Sequence, residues 1–189
     1  MRIISGKHKG RAIQTIKDKK LRPTTSMTRE GLYNVLSHGK FAEDGQNIIV
    51  NSNILDLFCG CGALSLEAIS RGAAHATLID IDQQHLDIAR RNFNSIGEIA
   101  NASFIRADSS TPPPAKKSCN IVFIDPPYGK NLVNPSLKSI VAGGWLAKNA
   151  VVIIETGKNE DIEFPDSFAE LDDRTYGNCR IRILRWLGD

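Results

Sequence analysis

The sequence predicts an α/β fold: a Rossmann-like, doubly wound sheet with an antiparallel C-terminal strand and a small β-hairpin extension at the N-terminus. Three observations carry that prediction. From residue 54 onward, short apolar runs alternate with helical segments. A glycine turn, Gly60-Cys61-Gly62, directly follows the first apolar run. Asp80, Asp108 and Asp125 stand at or just past the ends of later runs.

The elements follow in order. Arg2 to Ile13 reads as two short β runs around Gly6 and Gly10, a hairpin with a cationic tip. Residues 1–20 form this basic extension, and residues 21–189 form the main domain. A helix is expected over residues 25–38, with Thr25 or Ser26 as N-cap and Glu30 near its first turn. Residues 41–53 are polar and read as a linker, and the α/β core spans 54–189. Ile54–Phe58 is a buried strand of the kind a parallel sheet demands. A helix then covers Ala63–Arg71, a strand Ala76–Asp80, a helix Gln83–Ile96 and a strand Ser103–Arg106. Pro112-Pro113-Pro114 marks an exposed loop. Asn120–Ile124 is the fourth strand, Pro135–Val141 a helix, and Val151–Glu155 the fifth strand. Phe168–Asp173 and Cys179–Trp186 read as an antiparallel pair.

Composition excludes several classes. Hydrophobic content of 41% and charged content of 24% are ordinary for a globular chain. No apolar run approaches the ~20 residues of a membrane helix. The N-terminus has no apolar core of the signal-peptide kind, so a cytoplasmic location is expected. Cys59 and Cys61 are spaced C-x-C, without a nearby His to complete a ligand set, so no metal site is expected. The net charge of +3 is unevenly spread. Residues 1–40 carry ten Lys/Arg against Asp18 and Glu30, a net of +8, and the rest carries a net of −5. That asymmetry points to a polyanion partner bound through Arg2, Lys7, Lys9, Arg11, Arg22 and Arg29. A solvated, charge-rich terminus is the plainer alternative.

The glycine turn places backbone N–H groups where a ligand approaches closely. It is G-x-G followed by Ser65, not G-x-G-x-x-G, and no P-loop lysine follows. Asp56 precedes it, which suits a ligand with positive charge better than a pyrophosphate. S-adenosylmethionine, with its sulfonium and ammonium, is such a ligand; a tight turn without any ligand is the alternative. Asp80 lies 18 residues past Gly62, where an acidic residue takes ribose hydroxyls in nucleoside-binding α/β folds, and Asp82 could share that role. Asp108 is placed to accept from an adenine amino group. The candidate cofactor set is therefore Asp56, Phe58, Gly60, Gly62, Asp80, Asp82, Ala107 and Asp108. Each aspartate could instead be a helix N-cap.

Asp125-Pro126-Pro127-Tyr128 closes the fourth strand. The prolines stiffen the exit. Asp125 and the Pro126 carbonyl can accept the two N–H bonds of an aromatic amine, directing its nitrogen at a donor methyl. Tyr128 offers a ring for base stacking, a contact of ~1–3 kcal/mol. A base held there must first leave its stack. These four residues are the candidate catalytic set.

The chain resembles the RsmD family, the bacterial 16S ribosomal RNA guanine-N2 methyltransferases, over nearly its whole length. The resemblance rests on R-I-I-S-G-K-H-K-G-R (Arg2–Arg11), L-R-P-T-T…R-E (Leu21–Glu30), D-L-F-C-G-C-G-A-L (Asp56–Leu64), E-A-I-S-R-G-A (Glu67–Ala73), D-P-P-Y and G-G-W-L (Gly143–Leu146). It implies a class I methyltransferase fold, S-adenosylmethionine as donor, and a guanine of small-subunit rRNA near the P-site tRNA as target. The substrate is then 16S rRNA within a small-subunit particle, and the enzyme a monomer. Ser26 and Met27 stand where the family has Asp and Arg. Cys59 and Cys61 replace Ala and Ser in the glycine turn, and Asp80 stands where Glu is frequent.

The D-P-P-Y motif also serves adenine-N6 and protein-glutamine methylation, so it does not choose among them. The 189 residues leave no room for the large target-recognition domain of DNA enzymes. A catalytically inactive assembly factor on the same fold is a third reading, against which the intact Asp125 and glycine turn argue.

Overall fold

The computed structural model describes residues 1–15, 26–37, 41 and 45–188. Its centre is a seven-stranded sheet in the order β3-β2-β1-β4-β5-β7-β6. The strands are β1 (Asn53–Leu57), β2 (His75–Asp80), β3 (Ala102–Arg106), β4 (Cys119–Ile124), β5 (Leu146–Gly157), β6 (Phe168–Tyr176) and β7 (Cys179–Trp186). β1 to β5 pair in parallel, and β7 runs antiparallel to both β5 and β6. The strand order reverses at β1, flanked by β2 on one side and β4 on the other. Ligands in open α/β sheets bind at such a switch point, beyond the carboxyl ends of the strands.

The central strands are apolar on both faces because helices cover both. α1 (Ser26–Ser37), α2 (Ala63–Ser70) and α3 (Gln83–Ser95) share one core with Ile54, Phe123, Ile153 and Ile181. α4 (Val133–Ala142) packs on the other face with Leu55, Val122, Ile124 and Ile154. Since successive strand side chains alternate faces, this assignment fixes where every strand-end residue points.

Three elements differ from expectation. β5 begins at Leu146 rather than Val151, because a bulge interrupts its pairing with β4 between Cys119 and Ile121. Asn149, at φ 58°, sits within the extra residues, and its polar neighbourhood hides the strand from an apolar-run reading. α4 starts two residues before Pro135, which occupies the first turn, where a missing N–H costs nothing. The N-terminal segment is a hairpin in outline but holds a single antiparallel bridge, Arg2 to Ala12, instead of two β runs. The N–H groups of Ile4 and Ser5 donate to the Glu67 carboxylate on α2 (2.8 and 3.0 Å), so they are lost to the opposing chain. Lys7 and His8 N–H bond the carbonyl and hydroxyl of Ser70. Ile3 and Ile13 join the α1–α3 core. Thr25, Arg22 and the division at residue 20 lie outside the described residues.

Candidate active site

The carboxyl edge of the sheet carries two clusters. The first surrounds the turn after β1. Phe58 holds φ 60°, a strained conformation for an aromatic residue, and Gly60 and Gly62 hold φ 52° and 76°. Fixed bonds from β2 and the loop after β3 maintain that path. Phe58 N–H donates to Ser109 Oγ (3.0 Å), and Ser109 Oγ donates to the Ile79 carbonyl (3.0 Å). Cys59 N–H donates to the same carbonyl (3.2 Å). Gly60 N–H donates to Asp80 Oδ2 (2.9 Å). Asn92 of α3 donates to the Cys61 carbonyl (3.0 Å). Gly62 is required by packing rather than by ligand approach: a Cβ there would lie 2.9 Å from Leu78 Cδ2 and 3.3 Å from Ala89 Cβ.

The aspartates of this half are engaged with the protein. Asp80 accepts Asp82 N–H at Oδ1 (2.9 Å), and the His85 Nδ1 lies 3.2 Å from both its oxygens. Asp82 is the α3 N-cap, accepting Gln84 N–H (2.7 Å). Asp108 is exposed and accepts Ser110 N–H and Oγ–H (2.8 and 2.7 Å), while Ala107 N–H donates to the Asp80 carbonyl (3.2 Å). Asp56 corrects its sequence reading. It is 1% exposed and takes Ser65 Oγ–H at 2.6 Å, so it supports the start of α2 from inside rather than presenting charge to the cleft. Burial pushes its carboxyl up to about 7, against the Ser65 bonds that favour ionisation.

The second cluster surrounds Asp125. Ile124 of β4 pairs with Ile154 of β5, so Asp125, one residue past the end of β4, lies beside Glu155, which is still within β5 and paired with Ile181 of β7. Phe123 and Ile153, two residues earlier, belong to the α1 face, so both carboxylates point to that side. Tyr128 O–H donates to Glu155 Oε1 (2.9 Å), and Gly129 N–H donates to Glu160 Oε1 (2.6 Å). The Asp125–Tyr128 loop is thereby tied to β5. Tyr128 is 42% exposed while its hydroxyl is anchored. Burial, then the Glu155 charge, pushes both the Tyr128 phenol and the Cys179 thiol far up, so both stay protonated. Sequence reasoning missed Glu155, Cys179 and Ser109. Glu155 was legible only as the end of an apolar run, and its neighbours come from register and from a loop 27 residues away.

The cationic tip lies elsewhere. α2 begins at the glycine turn and runs down to Ser70, where residues 5–8 dock. Eight helical residues separate the two ends, ~12 Å at 1.5 Å per residue. Arg2, Lys9 and Arg11 are exposed there; Arg2 bonds the Gly10 carbonyl, and Arg11 the Ser95 carbonyl (2.9 Å). Lys7, 53% exposed, pairs with Glu98 (2.8 Å). Arg29 is a correction: it is 0% exposed and cannot touch RNA. Its guanidinium donates to the Met1 sulfur and the Arg2 carbonyl and lies 3.8 Å from Glu67, clamping the N-terminus to α2. Among the described residues no His/Cys/Asp/Glu group could hold a metal.

The family model described as Conserved hypothetical protein 95 matches residues 1–185. The chain is 36% identical over 162 residues to "Ribosomal RNA small subunit methyltransferase D" of Escherichia coli strain K12, covering 82% of this chain and 74% of that one. The chain belongs to the RsmD family. Another relative is "Uncharacterized methylase RP545" of Rickettsia prowazekii, 31% identical over 98% of both chains. The solved structure of the yhhF protein of Escherichia coli is 30% identical and superimposes with a TM-score of 0.82 over 98% of this chain and 97% of that one. The RsmD-family chain has the class I methyltransferase fold.

Proposed function

We propose that the chain transfers a methyl group from S-adenosylmethionine to the exocyclic N2 of a guanine in 16S rRNA, acting as a cytoplasmic monomer on a small-subunit particle. One observation supports the reading: the acceptor-rich turn after β1 and the Asp125–Tyr128 loop after β4 leave adjacent parallel strands at the sheet's switch point. The name of the Escherichia coli relative supports small-subunit rRNA as the substrate.

The turn fits the cofactor by the chemistry of its side chains. Asp80, Asp82 and Asp108 offer carboxylates to a ligand whose ribose hydroxyls, ammonium and adenine amine are all donors. Phe58 and Ala107 line the same turn. When bound, S-adenosylmethionine supplies an electrophilic methyl group and leaves as a neutral thioether. Asp125 Oδ and the Pro126 carbonyl accept the two N2–H bonds of the base, which sets the nitrogen lone pair toward the turn after β1. Neither Pro126 nor Pro127 carries an N–H to compete for the Asp125 carboxylate. The product nitrogen releases one proton, to Asp125 or to water. Tyr128, with its hydroxyl fixed on Glu155, presents its ring for stacking. Arg2, Lys7, Lys9 and Arg11, with Arg22 from outside the described residues, contact the phosphate backbone away from the reacting base.

Tritiated methyl transfer to small-subunit particles and to free rRNA, followed by nucleoside identification, tests this. N2-methylguanosine formed on particles is the expected product. A methylated adenosine, a methylated protein, or no transfer would overturn it.

A further inference from the structure

We infer that Glu155 is the residue that selects guanine, by accepting the N1–H of the base whose N2 is held at Asp125. The inference rests on the N2 reading above and adds to it the group that reads the base. In guanine, N1–H and the N2 amine are neighbouring donors, two bonds apart and aimed the same way. A site for both needs two adjacent acceptors. Asp125 and Glu155 follow the paired residues Ile124 and Ile154 on neighbouring parallel strands and point to the same face. The two carboxylates are therefore neighbouring acceptors on one face, carried by strands ~4.8 Å apart.

The Glu155 side chain is held for such a task. It is 7% exposed, and Tyr128 O–H binds its Oε1 at 2.9 Å. A carboxylate has about four acceptor positions, so it can serve protein donors and a base N–H together. The phenol and thiol beside it stay protonated as burial and the Glu155 charge push their ionisation up, which keeps them donors to that carboxylate.

The alternatives fail at this atom. Adenine presenting N6 at Asp125 would turn its N1 lone pair on the Glu155 carboxylate, and cytosine presenting N4 would do the same with N3. A glutamine amide has no second N–H in the ring position. A site built to hydrogen-bond an N–H rejects analogues that lack it, because its buried acceptor then goes unpaired. The Asp-Pro-Pro-Tyr loop thus grips an amine of any kind, and Glu155 restricts the kind.

The test replaces the methylated guanine of small-subunit RNA with 2-aminopurine, which keeps the N2 amine but carries a lone pair at N1. Tritiated methyl transfer from S-adenosylmethionine gives kcat/KM for both RNAs. Wild type is expected to prefer guanine by about 10²-fold or more. In Glu155→Gln, whose carboxamide can turn its NH2 to the N1 lone pair, the guanine rate falls and the preference shrinks toward unity. A wild-type preference near unity overturns the inference without recourse to any variant, as does an undiminished preference in a folded Glu155→Gln protein. A wild-type product other than N2-methylguanosine overturns the proposed function instead, and is read separately from the product analysis.

Discussion

The two halves of the carboxyl edge are built from the same residue type and use it differently. Around β1 to β3 the strand-end aspartates serve the protein first. Asp56 braces α2 through Ser65, Asp80 pins Gly60 and Asp82, Asp82 caps α3, and Asp108 closes its own turn. After β1 and β2 the chain enters a helix within six residues, and the free N–H groups at a helix start recruit nearby carboxylates. After β4 it does not. Pro126 and Pro127 have no N–H to recruit, and α4 begins only at Val133. Asp125 follows β4 directly, beside Glu155, which anchors Tyr128. In the proposed reaction the cofactor side is thus a rigid backbone turn held by acids, and the substrate side is acids carried on a rigid backbone.

The largest effect should come from the substrate half. Asp125→Ala is expected to lower kcat by about 10²-fold or more, since orientation of the amine is lost, while the dissociation constant for S-adenosylmethionine stays within about twofold. Single-turnover methyl transfer and titration calorimetry separate the two quantities. Near-normal turnover would erase the distinction between the halves. In the cofactor half the pattern reverses. Asp80→Ala removes a ligand acceptor and the anchor of Gly60 together. Cofactor affinity should fall roughly 10- to 10²-fold, the size of a lost charge-assisted bond, and Asp80→Asn should recover part of it. Unchanged affinity in Asp80→Ala would assign the ribose contact to Asp82.

Much of this was legible in the sequence, for identifiable reasons. Parallel strands buried on both faces are continuous apolar runs, so β1, β2 and β4 stood out. Asp-Pro-Pro-Tyr stood out because prolines after a strand are a local, residue-specific signal. Arg29 was not legible: it reads as one more cation in a basic stretch, and only the approach of Met1, the Arg2 carbonyl and Glu67 shows it buried. Burial holds its guanidinium below the ordinary value, an effect that no linear charge count contains. Glu155 escaped because its partners are set by register with β4 and by Tyr128. Asp56 read as a ligand-facing acid because its bond to Ser65, in the first turn of α2, is set by the fold and not by sequence spacing.

Asp56 also separates the halves by pH. Its folded-state value of about 7 lies above the ordinary 3.8, so between about pH 4 and 7 the native chain retains a proton that the unfolded chain has released. Stability is therefore fully present at the acidic end of that window and declines as pH rises to 7, then levels. Glu98 acts oppositely: burial opposes its ionisation, but bonds from Lys7, Asn101 and His8 hold it at about 2, below the usual 4.5, so its contribution is lost only as pH falls through that lower range. Urea denaturation at a series of pH values should show a shallower decline between pH 4 and 7 in Asp56→Asn, which keeps an acceptor for Ser65 and cannot ionise. An identical decline in both proteins would mean that Asp56 stays ionised in the fold.

The smallest effect on chemistry should come from the cationic tip, at the far end of α2 from the glycine turn. Lys7 is a poor probe because its loss also releases Glu98 from its 2.8 Å pair. Lys9 and Arg11 are exposed and better placed for the purpose. Lys9→Gln with Arg11→Gln should weaken RNA binding and lower the slope of log affinity against log salt by about 0.7 for each single-strand phosphate contact removed. The rate at saturating RNA should not change, because phosphate contacts position the strand without touching the reacting base. An unchanged salt slope would remove the tip from the RNA interface. A reduced rate at saturating RNA would show instead that the tip orders the catalytic edge, and the most direct physical route for that is α2 itself, which joins Ser70 to Gly62 and, through Ser65, to Asp56.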